Sequence, residues 1–233
     1  MEIYLTKLNL NPRNREVRKL LDSRNCQNLH HFVMSGFPII DGEKSEVRKK
    51  FGVLHRLEID SRRGEITLLV QSSFKPIWNF TGDVLLDDGF SQKEIGQIYS
   101  TLPNETGLMF RLRANPTKCV SAKNTDFAKF AGKRVELRTS EDQIEWLKRK
   151  SEQHGFRLTA VKVNSEVENV ATTPNGKVFG NHSKGKLTFN SVVFDGNLQI
   201  TDAEKFRETL IHGIGQGKAY GFGLLSIAKS LSF

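Results

Sequence analysis

Apolar residues recur at every second position in some stretches of the chain and at every third and fourth in others, which separates strands from helices. Ile3 and Leu5 share one face and Leu8 and Leu10 a face of the other parity, the pattern of a bulged or well-buried strand. Val17, Leu20 and Leu21 fall at i, i+3, i+4, and Leu29, Phe32 and Val33 repeat that spacing. This predicts a helix broken near Ser23 to Asn25 and ended before Pro38. Val53, His55, Leu57 and Ile59 alternate up to the turn Ser61-Arg62-Arg63-Gly64, and Ile66, Leu68 and Val70 alternate after it, as in a hairpin. Ser91 with Glu94 reads as a capping box ahead of Ile95, Ile98 and Leu102, so a second helix is expected there. A strand from Leu108 to Arg113 follows.

In order these elements spell β-α-β-β-α-β, the ferredoxin-like unit whose topology RNA-recognition sheets share. Lys118 to Lys133 has no clear period and reads as a connection. The pattern then restarts with a short strand at Arg134 to Leu137 and a helix capped by Ser140 and Gln143, carrying Ile144 and Leu147 and stopping at Gly155. Phe156 to Val163 is a strand. A polar, Gly-rich stretch leads into a long strand from Leu187 to Ile200, bulged at Asp195-Gly196. Thr201 with Glu204 opens a helix carrying Phe206 and Leu210, and Phe222 to Ala228 closes the chain as a strand. The expected fold class is therefore α+β, with two tandem ferredoxin-like (RRM-like) βαββαβ domains at residues 1–117 and 118–233.

Composition narrows the function classes. Of 233 residues, 37% are hydrophobic and 26% charged, so the chain can bury a core and is neither a disordered polymer nor a membrane bundle. Lys and Arg total 35 against 26 Asp and Glu, a net charge of +9, which favours a polyanionic partner such as nucleic acid or an anionic membrane surface. The longest apolar runs, such as Ile66 to Val70, fall far short of the roughly 20 residues that cross a bilayer. Met1 to Lys7 resembles neither a signal peptide nor a transit sequence, and two cysteines, Cys26 and Cys119, offer no disulfide framework. A cytoplasmic protein is expected.

The strongest local signal is the run Gly213-Ile214-Gly215-Gln216-Gly217-Lys218-Ala219-Tyr220-Gly221-Phe222-Gly223. Glycines let backbone N–H groups approach a phosphate closely, and Lys218 adds charge. A nucleotide P-loop is excluded, because His212 stands where its first glycine belongs, Ala219 where its hydroxyl belongs, and the run follows a helix. His30 lies about 100° around its helix from Leu29, at the edge of the buried stripe, where an imidazole can move protons near neutral pH. Cys26 and His30 share an i, i+4 face, but no further ligand pair completes a zinc site, and Asp87-Asp88-Gly89 reads as a turn. Neither a metal site nor a cofactor is expected. Arg111 and Arg113 fall on one face of a strand as paired cations, and Lys177, Lys184 and Lys186 flank a loop with His182. The aromatic signature of standard RNA-recognition domains is absent, so base stacking on the sheet is not implied.

Five segments together carry a family resemblance. They are Leu29-His30 with Pro38 eight residues after His30, Phe110-Arg111-Leu112-Arg113-Ala114-Asn115-Pro116, Trp146-Leu147-Lys148-Arg149-Lys150, Val193-Phe194-Asp195-Gly196-Asn197-Leu198, and the glycine run. Through them the whole chain resembles the CasE family, the CRISPR-associated endoribonucleases of type I-E systems. Gly213, Gly215, Gly221 and Gly223 match the G-x-G, five residues, G-x-G loop of the wider repeat-processing superfamily. The resemblance implies tandem ferredoxin-like domains and metal-independent cleavage of CRISPR repeat hairpins through the 2′-OH. The products would be a 2′,3′-cyclic phosphate and a 5′-OH, with retention of the RNA in the Cascade complex beside its other subunits. It also implies His30 as the catalytic histidine and Lys218 as the loop lysine. Arg111, Arg113, Lys177, Lys184, Lys186, Gly213, Gly215, Tyr220, Gly221 and Gly223 become the RNA-binding residues, with the basic loop from Lys177 to Lys186 similar in position to a hairpin pressed into the RNA stem. Members often carry a tyrosine three residues before that histidine, and here the position is Gln27. His30 is left to act alone or with Lys218 or Tyr220, and a non-cleaving repeat-RNA-binding subunit is the alternative.

Overall fold

The computed structural model describes residues 1–22, 26–39, 44–80, 82–120, 132–159, 170–182 and 185–229. Its first sheet is built from β1 (Tyr4–Leu10), β2 (Leu54–Asp60), β3 (Glu65–Ser72) and β4 (Leu85–Glu94), antiparallel throughout in the order β2-β3-β1-β4. Between β1 and β2 the chain forms α1 (Arg15–Leu20), α2 (Cys26–Met34) and α3 (Lys44–Lys50). Asn14 starts α1 by accepting from the Glu16 and Val17 amides. The apolar stripes of these helices bury Val17, Leu29, Val33 and Val47 against Leu8, Leu10, Ile66, Leu68 and Val70 of the sheet.

The expected capping box at Ser91 and Glu94 is corrected by β4, which runs through both residues and pairs with β1 from Tyr4↔Glu94 to Leu10↔Leu85. A ladder of that length satisfies far more backbone groups than a box, which satisfies two. Only α4 (Gly96–Ser100) remains of the helix, and Glu94 accepts from the Ile3 and Gly96 amides. Asp87-Asp88-Gly89 is likewise part of β4 and not a free turn. The β1–β4 register slips beside it, Asp88 takes φ 53°, and a Cβ on Gly89 would stand 2.8 Å from the Asn9 carbonyl.

After β4 come β5 (Gly107–Ala114), a small ladder of β6 (Thr117–Cys119) with β7 (Arg134–Glu136), α5 (Ser140–Gln153), β8 (Phe156–Leu158), β9 (Val170–His182), β10 (Gly185–Ile200), α6 (Ala203–His212) and β11 (Leu225–Lys229). The second sheet has the order β11-β5-β10-β8, with β9 also along β10. Leu108 to Arg113 is thus a strand, but its place is corrected: β5 opens the second βαββαβ unit, and β4 closes the first. Alternation identifies a strand but not its sheet. Leu108, Phe110, Leu112 and Ala114 pack with Phe194, Leu198 and Leu225, and that core decides. The short strand at 134–137 pairs only with β6, and the described residues between β3 and β4 hold no helix.

The polar stretch before Leu187 forms β9, which pairs with β10 from Val170↔Gly196 to His182↔Gly185. The irregularity of β10 falls between Asn190 and Val192, not at Asp195-Gly196. Since β5 pairs with β10 only from Val192 to Gln199, residues 177–182 and 185–190 pair with each other alone, as a two-stranded ribbon.

Buried polar groups tie the two units together. Arg56 of β2 is 3% exposed and donates to the carbonyls of Arg111 (3.3 Å) and Leu224 (3.1 Å) while pairing with Glu58. Gln71 donates to the Leu210 carbonyl at 2.6 Å and accepts from the Tyr99 hydroxyl at 2.8 Å. A buried group left without such a partner costs about 1–3 kcal/mol, so these bonds fix how β2 and β3 sit on the second sheet.

Candidate active site at the seam

Cys26, Leu29 and Val33 are the buried stripe of α2, and His30 is half-buried beside it. Its ring lies 6.2 Å from that of Tyr220 and 5.9 Å from that of His31, and its Nδ1 is buried without a hydrogen-bond partner. Burial first, then the charges of His31 and Arg48, push His30 below the usual histidine value, while a hydrogen bond with the Ala219 backbone opposes them. The imidazole is therefore mostly neutral near pH 7, the form that accepts a proton.

The glycine run explains how Tyr220 and Lys218 come to meet α2. Gly213 ends α6 with φ 72° and Gly223 has φ 87°, a backbone that residues with a Cβ rarely adopt. The two arms of the loop lie on each other: the Ile214 amide donates to the Gly223 carbonyl, and a Cβ on Gly213 would come within 2.6 Å of that same oxygen. At the tip, Lys218–Tyr220 forms a 3-10 turn between Gly217 and Gly221, both left-handed. The amides of Ile214, Tyr220 and Gly223 donate to the carbonyls of Gly223, Gly217 and Arg113. These glycines therefore shape the loop, and those three N–H groups are not presented to a phosphate. Tyr220 packs 5.2 Å from the Phe189 ring of the ribbon, and burial keeps its phenol protonated. Lys218 is half-buried and pushed down by burial, then by Arg48 and Lys150.

The expected pair of cations on β5 separates on inspection. Arg111 stands opposite Asp195 in the β5–β10 register and donates to both its carboxylate oxygens, at 2.6 and 3.1 Å, with Glu58 at 3.6 Å. Its charge is already matched. Arg113 is buried, donates to the Ser191 hydroxyl at 2.7 Å and lies 5.0 Å over the Phe222 ring. Burial and then Arg56 lower it to about 10. Lys177 is exposed on β9 with Glu136 at 3.8 Å. Lys186 belongs to β10 by its backbone, and Lys184 lies outside the described residues. Cys26 packs with Val178 and Phe222, and burial raises its thiol.

Two neighbours of His30 carried no signal in the sequence. Arg48 sits in the last turn of α3, a helix with one apolar residue, Val47, and therefore no period to detect. His55 of β2 is 1% exposed, and neither ring nitrogen has a partner. It lies under Gly221, whose Cβ would stand 3.5 Å from its Cδ2 and 3.7 Å from Arg113 Nη1. Burial, then His30, Arg113 and Arg48, lowers it to about 3. In the sequence it is one more residue of an alternating strand. Among the described residues, none of the charges that shift His30, His55 or Lys218 is a carboxylate. A group of cations beside a neutral imidazole is suited to phosphate chemistry.

A family described as CRISPR associated protein matches residues 3–229. The CRISPR-associated endoribonuclease Cse3 of Thermus thermophilus is 33% identical over 230 residues, covering 97% of this chain and 100% of that protein. The CRISPR system Cascade subunit CasE of Escherichia coli is 29% identical over 209 residues, 88% of this chain and 93% of that one. Among solved structures, Thermus thermophilus Cse3 bound to an RNA representing a pre-cleavage complex superposes with a TM-score of 0.74 at 31% identity, over 98% of this chain and 100% of that chain.

Proposed function

The chain belongs to the CRISPR-associated protein family, and on that premise we propose that it cleaves CRISPR repeat hairpins in precursor RNA as the CasE-type endoribonuclease of a type I-E system. It then stays on the product as a subunit of a Cascade complex with its other chains, as the name of the Escherichia coli relative indicates for that protein. The work is done in the cytoplasm, and no helix among the described residues is long and apolar enough to cross a membrane. The observation that carries this reading is His30, neutral and half-buried, facing Tyr220 and beside Arg48, whose charge also bears on Lys218.

Each residue takes a role from its environment. His30 removes the proton of the ribose 2′-OH as that oxygen attacks the adjacent phosphorus. Lys218 and Arg48 stabilise the charge that builds on the phosphoryl oxygens. As the P–O5′ bond breaks, the departing oxygen takes a proton from Lys218 or Tyr220, both of which hold one near neutral pH. The products are a 2′,3′-cyclic phosphate and a 5′-OH. The nucleophile belongs to the RNA, so no metal-bound water is needed. Lys177 places a cation on the ribbon, and Lys184 and Lys186, close to it in sequence, are expected to join it where an A-form stem is held by its shape and phosphates. Gly213, Gly215, Gly221 and Gly223 serve by setting the loop that aims Lys218 and Tyr220. Cleavage is expected to persist in excess EDTA and to leave a cyclic phosphate that acid opens to a terminal monophosphate. An EDTA-sensitive reaction leaving a 3′-OH would contradict the proposal.

A further inference from the structure

The turn Lys218–Tyr220 has two ends that face different surroundings. Tyr220 packs on Phe189, whereas Lys218 opens onto a cavity of about 280 Å³ enclosed by α5, the β6–β7 ladder and the glycine loop. Arg134, Lys150 and His154 line that cavity with Lys218, and Trp146 and Gly215 lie at its wall. Among the described residues, no carboxylate lines it. The larger cavity between α2 and the two sheets, about 340 Å³, differs in kind: its Arg56 and Arg111 are paired with Glu58 and Asp195.

The polar groups around the smaller cavity have neutral partners. Lys150 Nζ donates to Gln153 Oε1 at 3.0 Å, and Arg134 Nη1 to Thr117 Oγ1 at 3.4 Å. His154 Nδ1 lies 2.8 Å from the Thr209 hydroxyl, which itself donates to the Lys205 carbonyl. Nδ1 therefore holds the ring's hydrogen, and Nε2 is left to take up a proton. Lys150 and Lys218 both disfavour the charged form of His154, and Lys150 and Arg48 that of Lys218. Cations held close without an anion repel one another, and a bound anion relieves that repulsion.

We propose that this cavity is a second phosphate subsite, which takes a phosphodiester of the single-stranded RNA flanking the hairpin. The inference rests on the function proposed above, which lays the stem along the ribbon and the cut beside His30. The strand leaving the cut then passes Lys218 and meets Lys150, Arg134 and His154. Phosphate is the fitting ligand because the cations Lys218, Lys150 and Arg134 converge from three different elements and no carboxylate lines the cavity among the described residues.

The test uses the repeat hairpin encoded beside the gene, made with a 2′-deoxy sugar at the cut so that it binds without reacting. One version carries flanking single-stranded nucleotides on both sides and one is trimmed to the hairpin. For Lys150→Gln combined with Arg134→Gln, affinity for the flanked RNA is expected to fall roughly tenfold at moderate salt. The slope of log K against log salt should shrink by about 0.7, the value for one phosphate contact on a single strand. The trimmed RNA should bind wild type and variant alike. An unchanged slope, or an equal loss with both RNAs, would overturn the subsite. Cleavage of the unmodified hairpin by wild type, read in parallel, reports separately on the proposed function: binding without cutting sinks that function and leaves the subsite standing. A wild type that binds neither RNA overturns both.

Discussion

His30→Ala should lower the single-turnover rate of repeat-hairpin cleavage by about 10² to 10⁴-fold while leaving hairpin affinity nearly unchanged. The size follows from what the variant removes. His30 is the one group of the cluster whose neutral form is favoured near pH 7 and which also reaches the loop, through Tyr220 and the Ala219 backbone. His55 is neutral too, but it is enclosed beneath Gly221 and meets no solvent. Lys218 and Arg48 remain in the variant, so stabilisation of the phosphoryl charge survives and the loss is confined to proton transfer. Affinity is held by the cationic ribbon and by shape, to which a half-buried neutral imidazole adds little. A variant that cleaves at the wild-type rate, or one that loses binding and cleavage together, would remove His30 from its role.

The second large effect concerns stability and comes from His55. Its pKa is about 3 when folded, against about 6.5 for an unperturbed histidine when unfolded. Between those values the unfolded chain holds a proton that the folded chain lacks, so acid favours unfolding. The contribution is fully present above pH 6.5 and is lost as pH falls toward 3, at up to about 1.4 kcal/mol per pH unit. His55→Leu should remove that slope. It should also leave the protein at least as stable at pH 7.5, because neither nitrogen of the buried ring has a partner to lose. Urea unfolding of both proteins from pH 7.5 down to 4.5 measures this directly. Parallel loss of stability in the two would show that His55 is not the acid-sensitive group, and a variant much less stable at pH 7.5 would show that its nitrogens are engaged.

Local periodicity made much of the fold legible and left its pairing obscure. The β2–β3 hairpin and helices α2, α5 and α6 are written in alternation and in i, i+3, i+4 spacing and stand where those patterns place them, but the caps of α5 and α6 are Thr139 and Asp202, not the expected Ser140 and Thr201. β4 was hidden because Asp87-Asp88-Gly89 and the Ser91, Glu94 pair imitate a turn and a cap, whose local signals are outweighed by a long-range ladder to β1. β5 was visible as a strand and still assigned to the wrong sheet, since its partners β10 and β11 lie some eighty and more than a hundred residues on. β9 is rich in Thr, Asn and Gly, and half of it pairs only within the ribbon, so its sequence carries no apolar alternation to announce it.

The site shows the same division. His30 and Lys218 were singled out through a family resemblance carried by their neighbouring residues, and the structure sets their elements against each other. Arg111 looked like a free cation because its partner Asp195 is distant in sequence, and only the register reveals the pair. Arg48 and His55 act through proximity alone, one on a helix without a period and the other on an ordinary alternating strand. With Gln27 where the resemblance leads one to expect tyrosine, the aromatic hydroxyl beside His30 is that of Tyr220, supplied from the opposite side of the seam.

The most direct measurement is single-turnover cleavage by the wild-type protein of the hairpin repeat RNA found beside the gene, compared with the same RNA bearing one 2′-deoxy sugar at the cut. Attack by the 2′-OH predicts that the unmodified RNA is cut in EDTA while the modified RNA binds equally well and stays intact. Cleavage of the 2′-deoxy RNA at the same bond, or binding of both without any cleavage, would contradict it.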